Sequence, residues 1–296
     1  MADTILRGVS ADGAIRIFAA ETTDIVNRAV QIHKTFPTPT AALGRLLTAA
    51  SMMGWMLKGD NDTITLRIKG DGPIEGVIAV GDSNGNVKGY VVNPNAIVEH
   101  KYPGKLDVGK GIGQGTLCVI CDLGLKEPYV AQMELVSGEI AEDITAYYAT
   151  SEQVPSAVAL GVLVDTDGSV IKAGGFILQL MPDATDETAQ ILEKNLANAK
   201  PITTMLSDGM SLEDIIFSVT EGFSMLISNK EVCNPEYKCD CTRERVEKAL
   251  ISMGKQEMED LIKEEGKAEL TCQFCDKVYN FNKQELEDLL KYCTEK

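Results

Sequence analysis

The chain of 296 residues is 44% hydrophobic and 24% charged, a globular composition with room for one large core and a smaller unit. No apolar run approaches the roughly 20 residues of a membrane helix, and Met1-Ala-Asp-Thr-Ile-Leu-Arg7 has no basic stretch followed by an apolar one, so no membrane partner, no secretory leader and a cytoplasmic location are expected. The formal charge of −16, with Lys and Arg scattered, argues against nucleic acid, whose phosphates would repel the chain, and reads as solubility.

Thr4 to Val9 and Ile15 to Phe18 read as strands around an Asp12-Gly13 turn. Helices are predicted over Thr22 to His33 and Thr40 to Leu57. The second opens on Thr38-Pro-Thr40 and is apolar on nearly every side, which predicts burial. Period-two alternation over Thr63 to Lys69, then Ile74 to Val80 and Val87 to Val92, predicts an antiparallel meander. Gly109-Lys-Gly-Ile-Gly-Gln-Gly115 fits neither phosphate-loop nor dinucleotide spacing and precedes a strand, so it reads as a flexible loop. Strands recur at Leu117 to Ile120, Tyr129 to Leu135, Ala157 to Val164 and Val170 to Leu180, with a helix over Glu139 to Tyr148. Antiparallel strands with grouped helices predict an α+β core over residues 1–181.

Pro182 marks a boundary, and helix signals dominate residues 182–235, expected to form a helical linker arm. Thr185 to Ala199 is one helix, and Ser211-Leu-Glu-Asp214 is a capping box. The apolar crowding from Leu206 to Leu226 has two readings: an arm packed on the core, or an adhesive surface exposed in some states only. Residues 236–296 form the expected C-terminal domain. It holds helices over Thr242 to Met253 and Gln256 to Glu264 and a hairpin of Ala268 to Cys272 with Lys277 to Phe281. A last helix, capped by Asn282 with Glu285, runs to Tyr292. So small a unit needs a staple.

Eight cysteines in a chain expected in the cytoplasm argue against a permanent disulfide scaffold and for metal or redox chemistry. Four form tight pairs, Cys239-Asp-Cys241 and Cys272-Gln-Phe-Cys275. Residues two apart on an extended backbone share a face, and a Cys-x-x-Cys suits a knuckle, so Cys239, Cys241, Cys272 and Cys275 are the expected ligands of one zinc ion in a closed tetrahedral shell. Each pair is also close enough in sequence to oxidise within itself, so staple and switch are both open. A closed shell leaves no position for a catalytic water. No Ser-His-Asp pattern or carboxylate pair stands out, and His33 and His100 lie in unrelated contexts, so no enzyme is expected. Cys118-Val-Ile-Cys121 has a β-branched interior that predicts a strand, with its thiols on opposite faces. Cys233 and Cys293 read as spare thiols, Cys233 able to join disulfide exchange after oxidation.

Glu236-Tyr-Lys-Cys239-Asp-Cys241-Thr-Arg-Glu-Arg-Val246 and Cys272-Gln-Phe-Cys275 resemble the 33 kDa chaperonin family of redox-regulated heat-shock holdases. Further echoes are Ala41-Ala-Leu-Gly-Arg-Leu-Leu47, Asp122-Leu-Gly-Leu125, Val136-Ser-Gly-Glu-Ile-Ala-Glu-Asp143 and Gly174-Gly-Phe-Ile177, so the likeness covers nearly the whole length in order. The resemblance implies a reduced, zinc-bound, inactive form. It implies that oxidation joins Cys239 to Cys241 and Cys272 to Cys275, releases zinc, unfolds the C-terminal domain and frees the arm. Apolar surface would then hold unfolded or oxidatively damaged client proteins without ATP, with a homodimer as the active form. The runner-up is a constitutive binding protein with a purely structural zinc module.

Overall fold

The computed structural model describes residues 2–102 and 104–293, apart from the side chains of residues 229–231. Positions 1, 103 and 294–296 of the expected outer domains, and those three side chains of the expected arm, lie outside the described residues. The chain divides into two compact units, Met1–Lys238 and Cys239–Lys296.

The first unit runs β1 (Thr4–Ser10), β2 (Ile15–Glu21), α1 (Thr23–His33), α2 (Pro37–Trp55), β3 (Thr63–Gly70), β4 (Gly76–Asp82) and β5 (Val87–Val91). Then come α3 (Val108–Ile112), β6 (Gly115–Asp122), β7 (Tyr129–Glu134) and α4 (Ala141–Tyr147), which continues as a π turn over Tyr148–Glu152. β8 (Ser156–Val164), β9 (Val170–Leu180), α5 (Asp186–Asn198), α6 (Ile202–Ser207), α7 (Leu212–Val219) and β10 (Met225–Cys233) complete it. One antiparallel sheet has the order β10-β1-β2-β9-β8 and the other β5-β4-β3-β6-β7, which makes the fold α+β.

α2 is the central helix, packed on strands of both sheets. That position explains its apolar circumference: 16 of its 19 residues are buried. Its small residues let the backbones approach, since a Cβ on Gly54 would sit 2.5 Å from the Asp82 carbonyl oxygen. The hydroxyls it buries are bonded, Ser51 to the Gly85 carbonyl at 2.6 Å and Thr48 to the Gly44 carbonyl at 2.8 Å.

The expected arm is not helical throughout. α5, α6 and α7 bury Leu192, Ile202, Leu206, Ile215, Ile216 and Val219 on the opposite face of the first sheet, against Ile15, Ile17, Phe176 and Leu178. The chain then turns into β10, which pairs antiparallel with β1. Its residues Met225 and Leu226 looked like a continuation of the helical apolar crowding, because nothing local reveals an open edge more than two hundred residues upstream. Residues 236–238 cross to the second sheet, where the Val87 amide donates to the Glu236 carbonyl at 2.9 Å and the Lys238 amide to the Val87 carbonyl at 2.8 Å.

The glycine-rich stretch is not a flexible loop. Asp107 caps α3 through the Lys110 amide at 2.9 Å, and the Gly111 and Ile112 carbonyls accept from Ile74 and Gly72 at 2.9 and 2.8 Å. A Cβ on Gly115 would fall 1.9 Å from the Lys69 carbonyl oxygen, so glycine serves close backbone contact there. On β6, Cys121 packs on the core while Cys118 lies beside Arg67 and Gln132 on the other face.

The second unit comprises α8 (Arg243–Ser252), α9 (Lys255–Glu264), the hairpin β11 (Lys267–Thr271) and β12 (Val278–Asn282), and α10 (Lys283–Leu290). Its buried core is Leu250, Met258, Tyr279, Phe281 and Leu286.

Candidate metal centre

The hairpin β11–β12 ends in a knuckle. The Cys272 amide donates to the Lys277 carbonyl at 2.9 Å, and the Asp276 and Cys275 amides donate back to the Cys272 carbonyl at 3.0 and 3.4 Å. Asp276 takes φ +58°, a left-handed conformation that Asp tolerates better than most residues. Cys239 and Cys241 lie immediately before Thr242, whose hydroxyl caps α8 through the Arg245 amide at 3.3 Å. Arg245 pairs with Asp240. Arg243 donates to the Asn280 carbonyl at 3.1 Å, pairs with Glu285 at 2.7 Å and stacks 4.2 Å from the Phe281 ring. The Thr-Arg-Glu-Arg run thus fastens the start of α8 to β12 and α10.

This fastening brings the two cysteine pairs together. Cys239 Sγ lies 3.7 Å from Cys272 Sγ, Cys241 Sγ lies 3.3 Å from Cys275 Sγ, and all four sulfurs fall within 4.8 Å of one another. Sulfurs about 2.3 Å from a common tetrahedral centre are about 3.8 Å apart. The donor set and spacing therefore fit zinc, and no other cluster of three or more such ligands occurs among the described residues.

Tyr279 completes the surroundings. Its hydroxyl donates to the Cys241 carbonyl at 3.0 Å and to Cys241 Sγ at 3.2 Å. Sequence reasoning missed this residue, although its place on β12 just past the knuckle was a signal. The thiols are electrostatically unequal. Burial pushes Cys239 up and Cys275 up to about 11. At Cys241 burial also opposes ionisation, but bonding from Tyr279 and the neighbouring thiols outweighs it and brings the group down to about 7. Bonding to that sulfur in turn raises the Tyr279 hydroxyl.

The remaining candidates lie elsewhere. Cys233 belongs to the first unit, where its thiol donates to the Asn84 carbonyl at 2.9 Å and burial pushes it up to about 11. Cys121 is likewise pushed up to about 11 by burial. Cys293 packs on the core of the second unit. His33 Nε2 lies 3.2 Å from the Tyr237 hydroxyl, and His100 is exposed.

The sequence profile of the family described as Hsp33 protein matches residues 3–282. The chain belongs to the Hsp33 family. A 33 kDa chaperonin of Ruminiclostridium cellulolyticum is 49% identical over 291 residues, covering 98% of this chain and 99% of the relative. One from Clostridium perfringens strain SM101 is also 49% identical, over 98% of this chain and 92% of its own. The crystal structure of the 33 kDa chaperonin (heat shock protein 33 homolog) of Thermotoga maritima superposes with a TM-score of 0.90 at 38% identity, covering 99% of each chain. The Hsp33 assignment makes this chain a member of a chaperone family, and none of its described helices is long and apolar enough to cross a membrane.

Proposed function

We propose that this Hsp33-family chain is a redox-regulated, ATP-independent holdase, acting in the cytoplasm by binding rather than catalysis. The observation that carries the reading is the convergence of four cysteine sulfurs within 4.8 Å, contributed by two separate segments of a small unit. Cys239, Cys241, Cys272 and Cys275 would hold one zinc ion per reduced chain. Bound there, the ion supplies a closed cationic centre that keeps the sulfurs as thiolates and ties residues 239–241 to the hairpin. A structural zinc of this type contributes roughly 10–16 kcal/mol to folding, against a typical net domain stability of about 5–15 kcal/mol.

A peroxide takes two electrons from each pair. Cys239 would join Cys241 and Cys272 would join Cys275, and at each pair the two peroxide oxygens leave as two waters, drawing two protons from solvent because the zinc-bound thiolates carry none. Disulfide sulfurs no longer serve as ligands, so the four sulfurs release the ion and the link between the segments goes with it. The five buried residues of the second core are too few to hold the unit folded alone. Its melting exposes apolar surface to unfolded or oxidatively damaged clients, with a homodimer as the oxidised state and neither nucleic acid nor membrane as partner. Light scattering of a heat-denatured client tests this. The peroxide-treated chain is expected to suppress aggregation and the reduced, zinc-loaded chain to leave it unchanged. Equal suppression by both removes the switch, and zinc retained under peroxide favours the static module.

A further inference from the structure

An edge strand offers a row of unpaired N–H and C=O groups, and most proteins guard such edges with charge, bulges, proline or a cover. The edges of the two large sheets are β10 and β8, and β5 and β7. β10 pairs with β1 through a register break between Leu6 and Gly8, β7 ends on Glu134, and β5 is short, carries Lys88 and is covered by residues 236–238. α2, α4 and α6 pack against β8, but the strand itself carries none of the charge, proline or mid-strand bulge that guards an edge. Ser156-Ala-Val-Ala-Leu-Gly-Val-Leu-Val164 has neither charge nor proline, and its single irregularity, at Leu163 and Val164, lies at the turn into β9. Among the described residues its backbone makes no hydrogen bond beyond the ladder with β9.

The two faces of β8 differ. Val158, Leu160 and Val162 pack into the core around α2. Ala157, Ala159 and Gly161 face α5 and α6, and being small they leave room. A cavity of about 150 Å³ remains there, lined by Ala157, Leu178, Leu180, Ala189, Leu192 and Leu196. An apolar cavity of that size accepts one phenyl- or leucine-sized side chain. A strand added beside β8 would place alternate side chains on this face, the arrangement by which sheet edges recognise extended peptides.

We propose that the free edge of β8 takes an extended peptide segment as a sixth strand, with one apolar side chain in the cavity under α5. The proposal names the surface that first catches a client and in that respect rests on the holdase reading. Charge selects the occupant. Glu152 precedes the strand, Glu193 borders the cavity, and Asp165 and Asp167 follow the strand. Two antiparallel β8 strands would set the acids at one end of one copy against those at the other end of its mate, which disfavours self-pairing. A neutral apolar segment flanked by Lys or Arg fits instead. The edge provides one point of attachment in either redox state, and oxidation adds further surface for a whole client.

The test uses fluorescence anisotropy of a short labelled peptide alternating Leu and Thr between terminal lysines, with the full chain both reduced and zinc-loaded and oxidised. Binding is expected in both states. Methylating alternate backbone amides of the peptide, or replacing its lysines with glutamates, is expected to weaken it about tenfold or more. Leu163→Lys, at a position 37% exposed, places a guarding charge on the edge. Ala189→Leu fills the cavity. Each is expected to weaken binding about tenfold while Leu163→Lys melts as the parent does. No binding, binding only after oxidation, or binding unchanged by both variants and by backbone methylation would overturn the proposal. So would a dimer that Leu163→Lys converts to monomer with peptide binding intact. The peptide is read without a client, so the two readings fail separately. Client suppression untouched by Leu163→Lys removes the edge and leaves the holdase, whereas edge-dependent peptide binding without suppression does the reverse.

Discussion

Two buried carboxylates govern local geometry in the first unit. Asp143 has no exposed surface. One of its oxygens accepts from the Val136, Ser137 and Gly138 amides at 2.7, 3.1 and 3.3 Å, the other from the Ile140 amide at 2.9 Å. It thereby holds Ile140 at φ +72°, a costly conformation for a β-branched residue. Asp143→Asn turns an amide group toward backbone donors and is expected to cost roughly 2–4 kcal/mol in urea unfolding; a loss below about 0.5 kcal/mol would refute the role. Asp3 acts across a longer span. Thr22 reads locally as the cap of α1, but its hydroxyl bonds Thr48 at 2.7 Å, and Asp3 takes the Asp24 and Ile25 amides at 3.0 and 2.7 Å instead. Burial pushes Asp3 up to about 6. The folded chain then holds this proton more tightly than the unfolded chain, so the contribution is full below about pH 4 and is lost as pH rises through about 6. The stability of the parent minus that of Asp3→Asn should fall by roughly 2–3 kcal/mol over that window. A flat difference would show that Asp3 titrates normally. Neither carboxylate was legible beforehand, because Asp143 answers donors that only a folded loop supplies and Asp3 answers the first turn of α1, which only the folded chain brings to it.

Local motifs were readable in the sequence and long-range pairings were not. Ser211 and Asp214 form their reciprocal cap on α7, the Ser211 hydroxyl accepting the Asp214 amide at 3.1 Å and the carboxylate accepting the Ser211 amide at 3.1 Å. Asn282 and Glu285 do the same on α10, at 3.1 and 2.8 Å. Both boxes span four residues, so their partners are fixed by the helix itself. The cysteine pairs were readable for the same reason: short spacing sets each pair's geometry, and the donor type suits zinc. β10 was hidden because its partner β1 is remote, and Tyr279 because its target is the thiol of another segment. The Asn282 cap also bears on the metal centre, since Glu285 pairs with Arg243 at the start of α8. Asn282→Ala is expected to cost the second unit about 1 kcal/mol, seen as zinc affinity about fivefold weaker in a chelator competition. Unchanged affinity would mean that α10 does not support the site.

At the scale of the whole molecule, the division into two units decides what metal removal does. The first unit holds two extended cores, one around α2 between its sheets and one beneath α5 to α7. The second has the small core of Leu250, Met258, Tyr279, Phe281 and Leu286. A structural zinc held by the four cysteines, worth roughly 10–16 kcal/mol, would dominate the stability of so small a unit. The packing bears on the expectation that the apolar stretch from Ser211 to Leu226 is freed together with the terminal domain. Leu212, Ile215, Ile216 and Val219 spend their apolar surface on the first sheet, so we predict that α7 outlasts a melting of residues 239–293. Hydrogen exchange under reducing conditions with a strong zinc chelator should show amides 239–293 losing protection. The amides of Leu212–Val219 should keep theirs. The Lys238 amide, bonded to Val87 directly before the first cysteine, should report the boundary by exchanging earlier than the strands behind it. Joint loss across α7 and the second unit would show that the two melt as one cooperative body, and would return the arm to the role of a surface exposed by the switch.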